Sequence, residues 1–359
     1  MGNIELIRDL TNAFGPSGFE EDVVEVIKKY VKDSDVESDS MNNVFSKLNK
    51  NTGKRKTILL DAHSDEVGFM VQSILKNGLI SFVTLGGWIN SNIPAHLVNI
   101  KNGKGEIVEG ITVSKPPHFM TDEERANDKL SIESMYIDVG ASSREEVIEY
   151  YGIDIGDPIA PLVDFKYDEK TGILRGKAFD NRLGCMCIIE VMNRLSEMDD
   201  LNIDVVGGFA AQEEVGMRGA KITSQRVKPD LAIVFEGSPA DDIYFDEITA
   251  QGSLNKGVQI RHMDQSYIGS SQYIQYAKDI AKEKNIKFQS AVRRRGSTNA
   301  GAIHLSNEGV PVLVLGIPSR YVHTHYNYCS INDIDDTIEL ATNVIKEFNR
   351  ESIDKILKK

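Results

Sequence analysis

Carboxylate and imidazole side chains recur at the ends of apolar stretches in five separate parts of this sequence. Functional sites of α/β proteins usually lie at the ends of strands, so these segments are the first candidates for chemistry. Oxygen and imidazole ligands suit zinc, cobalt or manganese, and the absence of cysteine among them argues against a thiolate zinc site. Five ligands with one bridging carboxylate would hold two ions about 4 Å apart. The candidates are His63 and Asp65, Asp180, Glu213 and Glu214, Glu236, and His323 with His325.

Adjacent residues in two of these segments suit different roles. A metal-bound imidazole usually has a carboxylate or a carbonyl on its other nitrogen, so His63 would be a ligand and Asp65 would orient it. Neighbouring side chains diverge, so Glu214 would ligate a metal while Glu213 faces the substrate as a general base.

Each segment also has an ordinary structural interpretation. A strand-end histidine and a solvated acidic turn would account for residues 63–66, and Asp180 would serve well as the N-cap of the helix that follows it. The two adjacent glutamates would be a capping or solvated pair, and Glu236 a solvated strand end. Position after the loop favours His323 over His325, but spacing alone does not decide between them. Only the whole set favours a metal site.

The elements that would position these residues alternate between strand and helix, which indicates an α/β sheet with helices on both faces. Near the start of the chain, Ser17 precedes Glu20 by the spacing of a capping box. Apolar patterns predict strands at 43–48, 56–62, 203–210, 231–235 and 312–316, and helices at 4–10, 23–31, 181–197, 219–225, 268–285, 300–308 and 334–358.

Between residues 67 and 163 the pattern changes to short strand-like runs separated by Asn-Gly and Gly-Gly turns, with one helix predicted at 143–151. Such a pattern is typical of a small β-rich barrel or sandwich. We therefore predict one α/β domain, formed by residues 1–66 and 164–359, that is interrupted by a β-rich insertion at 67–163.

Composition excludes several classes of protein. The 359 residues include 41 Lys+Arg and 54 Asp+Glu, a formal net charge of −13 that argues against binding to nucleic acid or to anionic lipid. No apolar run approaches the ~18 residues of a membrane span. Three cysteines do not make a disulfide framework. We expect a cytoplasmic protein with no nucleic-acid or membrane partner.

Longer motifs extend in a fixed order over nearly the whole chain; they include FGPSGFE, LLDAHSDEVGFMV, GKAFDNRLGC, AAQEEVGMRGA, EGSPADD, GSTNAGAIHLSNEGVP and IPSRYVHT. Together they resemble the glutamyl-aminopeptidase family of co-catalytic metallopeptidases, which includes the tetrahedral aminopeptidases and proteins often labelled cellulase or endoglucanase M. The resemblance implies a phosphorylase/hydrolase-like catalytic domain of mixed sheet, interrupted by a PDZ-like β-barrel dimerisation domain. It also implies a homo-oligomer, assembled from dimers into a dodecamer.

Matched motif by motif, the resemblance implies a role for each candidate residue. Many members carry Asp where this chain has Glu236, which leaves metal preference and substrate range open. The implied general base is Glu213, with Asp65 orienting the first histidine; the implied ligands are His63 and Glu236 for one metal, Glu214 and His323 for the other, and Asp180 as the bridge.

These inferences lead to one predicted function, a two-metal aminopeptidase that removes N-terminal residues from peptides. Two divalent ions per subunit are expected, zinc or cobalt first and manganese as a further possibility. Three alternatives stay open: a two-metal N-acyl amidohydrolase, a glycosidase, and a non-catalytic assembly protein. The basic run 293–295 could contact an acidic substrate side chain or a neighbouring subunit, or be a solvated loop.

Overall fold

The computed structural model describes residues 3–126 and 130–358, apart from the side chains of Glu124 and Ala126. Its strands form a mixed sheet of eleven strands and a closed barrel of six. The strands within the described residues are β1 (Ser34–Ser38), β2 (Val44–Leu48), β3 (Thr57–His63), β4 (Gly68–Ile74), β5 (Ile80–Leu85), β6 (Leu97–Lys101), β7 (Ile107–Ser114), β8 (Met135–Asp138), β9 (Pro158–Pro161), β10 (Lys166–Asp168), β11 (Ile173–Gly176), β12 (Asp204–Ala210), β13 (Leu231–Pro239), β14 (Val258–Met263), β15 (Phe288–Val292), β16 (Val312–Arg320) and β17 (Asn327–Ser330).

Helices precede the sheet, follow it and connect its strands. None of the helices in the described part of the chain combines the length and the apolar character needed to cross a membrane. The described helices are α1 (Ile4–Asn12), α2 (Glu21–Tyr30), α3 (Asp122–Ala126), α4 (Arg144–Glu149), α5 (Phe179–Ser196), α6 (Arg218–Val227), α7 (Ser271–Glu283), α8 (Ala300–Ile303), α9 (Ile331–Lys346) and α10 (Arg350–Ile356).

The centre of the large sheet consists of four parallel strands in the order β12, β3, β13 and β16. These strands are almost completely buried and rich in valine, isoleucine and leucine, as strands covered on both faces should be. Ala210 pairs with His63, and Glu236 pairs with Gly316. The carboxyl ends of the four strands therefore meet along one edge of the sheet.

Alternate residues of the central strands point to opposite faces of the sheet. Ile233 and Phe235 of β13 belong to the main core, which also contains residues of α1, α2, α5, α7, α9 and α10. Ala232 and Val234 belong to a second core with residues of α6 and α8. The predicted α/β sheet with helices on both faces is confirmed.

The β-rich insertion is a closed antiparallel barrel with the strand order β4-β5-β8-β7-β6-β9. Its strands extend from Gly68 to Pro161, and a separate core of side chains such as Phe69, Ile100 and Ile137 fills it. Of the two architectures that the sequence allowed here, the barrel is the one that forms.

One predicted helix is too long and several strands were not predicted. The helix predicted at 300–308 is only the single turn α8; residues 304–308 form turns and a bend, and the left-handed φ of +52° at Asn307 is incompatible with a continuing helix. The edge strands β1 and β10 have the sequences SDVES and KYD, which are short and mostly polar. β11, β14, β15 and β17 were also missed. Strands without a long apolar run give little signal in a sequence.

Capping was predicted at the wrong helix. The N-cap residue of α2 is Glu20, without a capping hydrogen bond from its side chain, and the hydroxyl of Ser17 points elsewhere. A capping box is present at α10, where Asn349 Oδ1 accepts from the Ser352 amide at 2.9 Å. This cap divides the helix predicted at 334–358 into α9 and α10.

Candidate metal centre

The candidate residues meet at the carboxyl edge of the four parallel strands. His63 is the last residue of β3, and Glu236 lies in β13. Glu213 and Glu214 follow β12 by a few residues, and His323 follows β16 in the same way. The shared strand direction brings together segments that are far apart in the sequence.

Asp180 comes from the start of α5 and lies beside the same edge of the sheet. Its carboxylate faces two histidines instead of capping the helix; α5 is counted from Phe179, with non-helical backbone angles at Asp180 (φ −86°, ψ 100°). Its Oδ1 lies 3.1 Å from His63 Nε2, and its Oδ2 lies 3.5 Å from His323 Nε2. Burial opposes ionisation of Asp180, but hydrogen bonds from both histidines outweigh it and lower the pKa.

The imidazole of His63 is held by Asp65, two residues further along the chain. Its Nδ1 lies 3.2 Å from the carbonyl oxygen and 3.3 Å from Oδ1 of Asp65. Because a carbonyl oxygen only accepts hydrogen bonds, Nδ1 carries a proton, and Nε2, which faces Asp180, is the nitrogen that a metal would take. This is the tautomer and the orientation that a metal-ligating histidine needs.

Asp65 is completely buried and connects several parts of the site. Its Oδ1 accepts from the Glu213 amide at 2.9 Å, and its Oδ2 accepts from the Glu214 amide at 3.2 Å and from the Ser17 hydroxyl at 2.6 Å. Burial raises its pKa, but the hydrogen bonds with His63 and Ser17 outweigh this and lower it. A single carboxylate therefore fixes one histidine and the backbone of both glutamates.

His323 is held from the side of the barrel. Its Nδ1 donates a hydrogen bond to the carbonyl of Gly87 at 2.8 Å, and its Nε2 lies 3.4 Å from Glu214 Oε2. The other histidine of this loop, His325, lies outside the cluster, where its ring stacks on His96 with centroids 4.1 Å apart. Of the two histidines, the structure thus places His323 among the carboxylates.

Three groups of side chains in the described residues have ligand atoms within 4.8 Å of one another, close enough to hold a cation. They overlap, because Asp180 and Glu214 each belong to two of them, as does His63. The groups are His63, Asp180 and Glu236; Asp180, Glu214 and His323; and His63, Glu213 and Glu214. The side chain of Glu236 thus reaches the cluster.

The electrostatics of the centre favour bound cations. Burial raises the pKa of Glu213 to about 7 and that of Glu214 to about 8, and it raises the pKa of Glu236 well above its usual value. The carboxylate of Asp180 adds to each of these effects. Burial works against protonation of His323, but its hydrogen bond with Asp180 and the charge of Glu214 raise its pKa to about 10. Buried carboxylates this close together are costly unless positive charge compensates them, so this donor set fits divalent metal.

Three supporting residues were not predicted. Ser17 and Glu20 were read as a capping box, but Ser17 binds Asp65, and the buried Glu20 accepts from the Gln212 amide at 3.2 Å. Burial, with the charge of Asp65, raises the pKa of Glu20 to about 7. Gly87 was read only as part of a turn. In the sequence, only their place in the FGPSGFE motif distinguished Ser17 and Glu20.

A cavity of about 460 Å³ opens onto the centre. Its lining includes Asp180, Glu213, Glu214, Glu236 and His323. The other charged side chains that line it are three arginines, together with apolar and small residues: Arg261, Arg293, Arg295, Met217, Pro239, Val322, Gly87, Gly216, Gly237, Gly296 and Ser297.

The fold and the centre together define an α/β protein whose histidine and carboxylate ligands fit divalent metal. The model of the M42 glutamyl aminopeptidase family matches residues 42–340, and the chain belongs to this family of metallopeptidases. The resemblance drawn from the motifs is confirmed.

Relatives and solved structures agree with this assignment over nearly the whole chain. A glutamyl aminopeptidase of Lactococcus lactis is 30% identical over 98% of this chain and 98% of its own. A lysyl aminopeptidase of Pyrococcus furiosus is 30% identical over 96% of each. A TET aminopeptidase of a marine sediment thaumarchaeon superposes with a TM-score of 0.93 at 35% identity, covering 98% and 99% of the two chains. The TET1 peptidase of Pyrococcus horikoshii, described as assembling into a tetrahedron or a large octahedral shell, gives 0.85 at 27% identity over 96% and 99%.

Proposed function

We propose that this protein is an aminopeptidase that uses two divalent metal ions to remove N-terminal residues from peptides. The observation that carries the proposal is the position of Asp180. One of its carboxylate oxygens faces His63 and the other faces His323, so a single side chain joins two groups of potential ligands. A carboxylate shared in this way is the usual bridge in a two-metal site.

The ligand sets follow from the two groups that contain Asp180. His63 and Glu236 complete the first, and Glu214 and His323 complete the second. Zinc, cobalt and manganese all accept such ligands. Two such ions would supply Lewis acidity, polarising the scissile carbonyl and acidifying the attacking water.

Glu213 is the proposed general base. Its side chain lines the cavity, and its backbone amide is fixed by Asp65 at 2.9 Å. Burial raises its pKa to about 7, and a base with a pKa near the working pH both accepts and returns a proton efficiently. Glu213 takes a proton from the attacking water and then delivers it to the leaving amine.

The acidic wall of the cavity supports action on a free N-terminus. A substrate α-ammonium group placed near Glu213 and Glu236 would gain a favourable charge interaction that an acylated amine lacks. The same crowding of carboxylates around two histidines fits metal ligands better than the paired carboxylates of a glycosidase, which stand apart on either side of a sugar.

The test uses aminoacyl-p-nitroanilides with free and with acetylated amines, after chelation and after addition of zinc, cobalt or manganese. We expect activity on the free-amine substrates to disappear with chelation and to return with metal. Activity on acetylated substrates alone would identify a deacylase. No activity with any metal would indicate an assembly protein. Cleavage of cellulose that survives chelation would indicate a glycosidase.

We further propose that the chain is a homo-oligomer in which the insertion at 67–163 is the dimerisation domain and residues 1–66 and 164–359 form the catalytic domain. The outer surface of the barrel exposes Leu97 and Ile111, which are neighbours across β6 and β7. Exposed apolar pairs of this kind are typical of protein interfaces. Light scattering should give a mass of several subunits, twelve if the tetrahedral assembly forms, and Leu97→Asp with Ile111→Asp should reduce it.

A further inference from the structure

From the charges that line the cavity, we infer that the enzyme prefers substrates with an acidic first residue and that Arg295 pairs with that side chain. The inference rests on the proposed aminopeptidase function. Family membership does not decide the preference, because relatives at the same identity are named for glutamyl and for lysyl activity, which are opposite charges.

The charged side chains that line the cavity, beyond the candidate metal centre, are all of one sign. Apart from the proposed ligands and Glu213, every charged side chain that lines the cavity is an arginine. The reacting carbonyl must lie at the metal ligands, and the α-amine must lie beside the carboxylates. The first side chain is attached to the carbon between them, so it extends into the remaining part of the cavity.

Two of the three arginines already have partners. Arg261 is buried, with Nη1 3.2 Å from Asp264 Oδ2 and Nη2 donating to the Ser238 hydroxyl at 2.6 Å. Arg293 donates from Nη1 to Asp241 Oδ2 at 2.7 Å. These bonds fix both guanidinium groups, which line the cavity while they remain paired.

Arg295 differs from both. It is exposed, and within residues 3–126 and 130–358 no carboxylate or other acceptor pairs with it. A guanidinium with free donors recognises a carboxylate through two parallel hydrogen bonds, and here binding would require no existing ion pair to break. A lysine or arginine side chain in the same place would meet the unpaired positive charge of Arg295, so basic substrates are disfavoured.

Apolar substrates are the main competitors, because Met217, Pro239 and Val322 also line the cavity. Leucine would contact these residues but leave Arg295 without a partner. Glutamate and aspartate would satisfy it. The order expected from the lining is therefore acidic first, leucine second and lysine last.

The experiment compares kcat/KM for Glu-, Leu- and Lys-p-nitroanilide in the metal-loaded enzyme. We expect Glu to exceed Leu by about tenfold or more, as for a charge-assisted hydrogen bond, with Lys lowest. Arg295→Ala should lower the Glu/Leu ratio by about the same factor, and Arg295→Glu should shift preference from Glu towards Lys. Arg294→Ala is the matched control: the neighbouring arginine is exposed but does not line the cavity, so the ratio should stay within about twofold.

The outcomes separate this inference from the proposed function. Hydrolysis of Leu- or Lys-p-nitroanilide in preference to Glu overturns the inference and leaves the aminopeptidase intact. An unchanged Glu/Leu ratio in Arg295→Ala also overturns the inference, and it does so even if the variant changes the oligomeric state. Failure to hydrolyse any of the three with any metal overturns the proposed function itself.

Discussion

The two histidines of the centre are held in different ways. His63 ends a buried strand, is 1% exposed, and receives its orientation from Asp65 two residues away. His323 lies in a loop, its side chain is 39% exposed, and its backbone has a left-handed φ of +60°. Its Nδ1 bonds to the carbonyl of Gly87, in the segment that follows barrel strand β5.

This difference separates the centre into two halves with different structural origins. The half around His63 depends on the sheet and on buried hydrogen bonds within the α/β region. The half around His323 depends on a loop with a left-handed backbone at His323 and on the hydrogen bond to Gly87, so the insertion supplies part of the site. We therefore expect the metal beside His323 to be held less tightly than the metal beside His63.

The largest expected effect concerns Glu213, the proposed general base, which acts between the two halves. Glu213→Gln should lower kcat by about 10²-fold or more, because the amide cannot accept the proton, while both metals remain bound. Steady-state kinetics with metal analysis of the same sample would measure this. Normal turnover in the variant would remove Glu213 from the mechanism.

A change at Asp65 should weaken the half around His63. Asp65→Asn removes the negative charge that lies 3.3 Å from His63 Nδ1, so the first metal should bind about 10–100-fold more weakly. The second metal, which Asp65 reaches only through the backbone amide of Glu214, should weaken less. Competition with a chelator would measure the affinity. Ser17→Ala, which removes a single donor to the same carboxylate, is the control and should have a smaller effect. Equal loss at both metals would contradict the division of the centre.

A change in the barrel segment should affect the other half. A Cβ added at Gly87 would lie 3.3 Å from His323 Nδ1, so Gly87→Ala should displace that ring and weaken the second metal by several fold. Gly103→Ala is a matched control in the turn between β6 and β7, where an added Cβ meets no atom within 4 Å. The same chelator titration should show normal affinities for the control. An unchanged second affinity in Gly87→Ala would mean that the barrel does not support His323.

The smallest effect should come from a buried carboxylate remote from the centre. Asp204 accepts from the Gly53 amide and from Arg55 Nε, each at 2.7 Å. Burial raises its pKa, but hydrogen bonds from the Thr52 and Gly53 amides and from Arg55 lower it below the usual value. A lowered pKa contributes stability above the unfolded-state pKa of about 4, and that stability is lost as pH falls through the folded-state value.

Asp204→Asn should therefore lower the free energy of unfolding by about 1–2 kcal/mol at pH 7, with the difference from wild type shrinking below about pH 4. Urea unfolding across this pH range would measure it, and activity per bound metal should stay normal. A stability difference that grows at low pH would have the wrong sign.

The sequence indicated all five proposed ligands but not the residues that support them. Glu213 and Glu214 stood out in the sequence because they follow a long apolar run, which predicts a buried strand. The bond from His323 to Gly87 joins residues 236 positions apart, and the bond from Ser17 to Asp65 spans 48. No local pattern encodes contacts of this range, because they exist only after the sheet and barrel have packed together.

The sequence-based prediction missed helix ends and edge strands for a related reason. Ser17 and Glu20 have capping-box spacing, but tertiary hydrogen bonds to Asp65 and to the Gln212 amide compete with capping and prevail. Asn349 caps α10 inside a stretch whose apolar pattern continues through it, so the break is hidden from the pattern alone.

The central claim is that Asp180 joins two metal sites of unequal strength. The direct measurement is the number of metal ions per chain, by elemental analysis of the purified protein after exhaustive dialysis, in wild type, His323→Ala and Asp180→Ala. We predict two ions in wild type, one in His323→Ala, and fewer than one in Asp180→Ala, because only Asp180 belongs to both ligand sets. A single ion in wild type, or two ions retained in Asp180→Ala, would contradict the account.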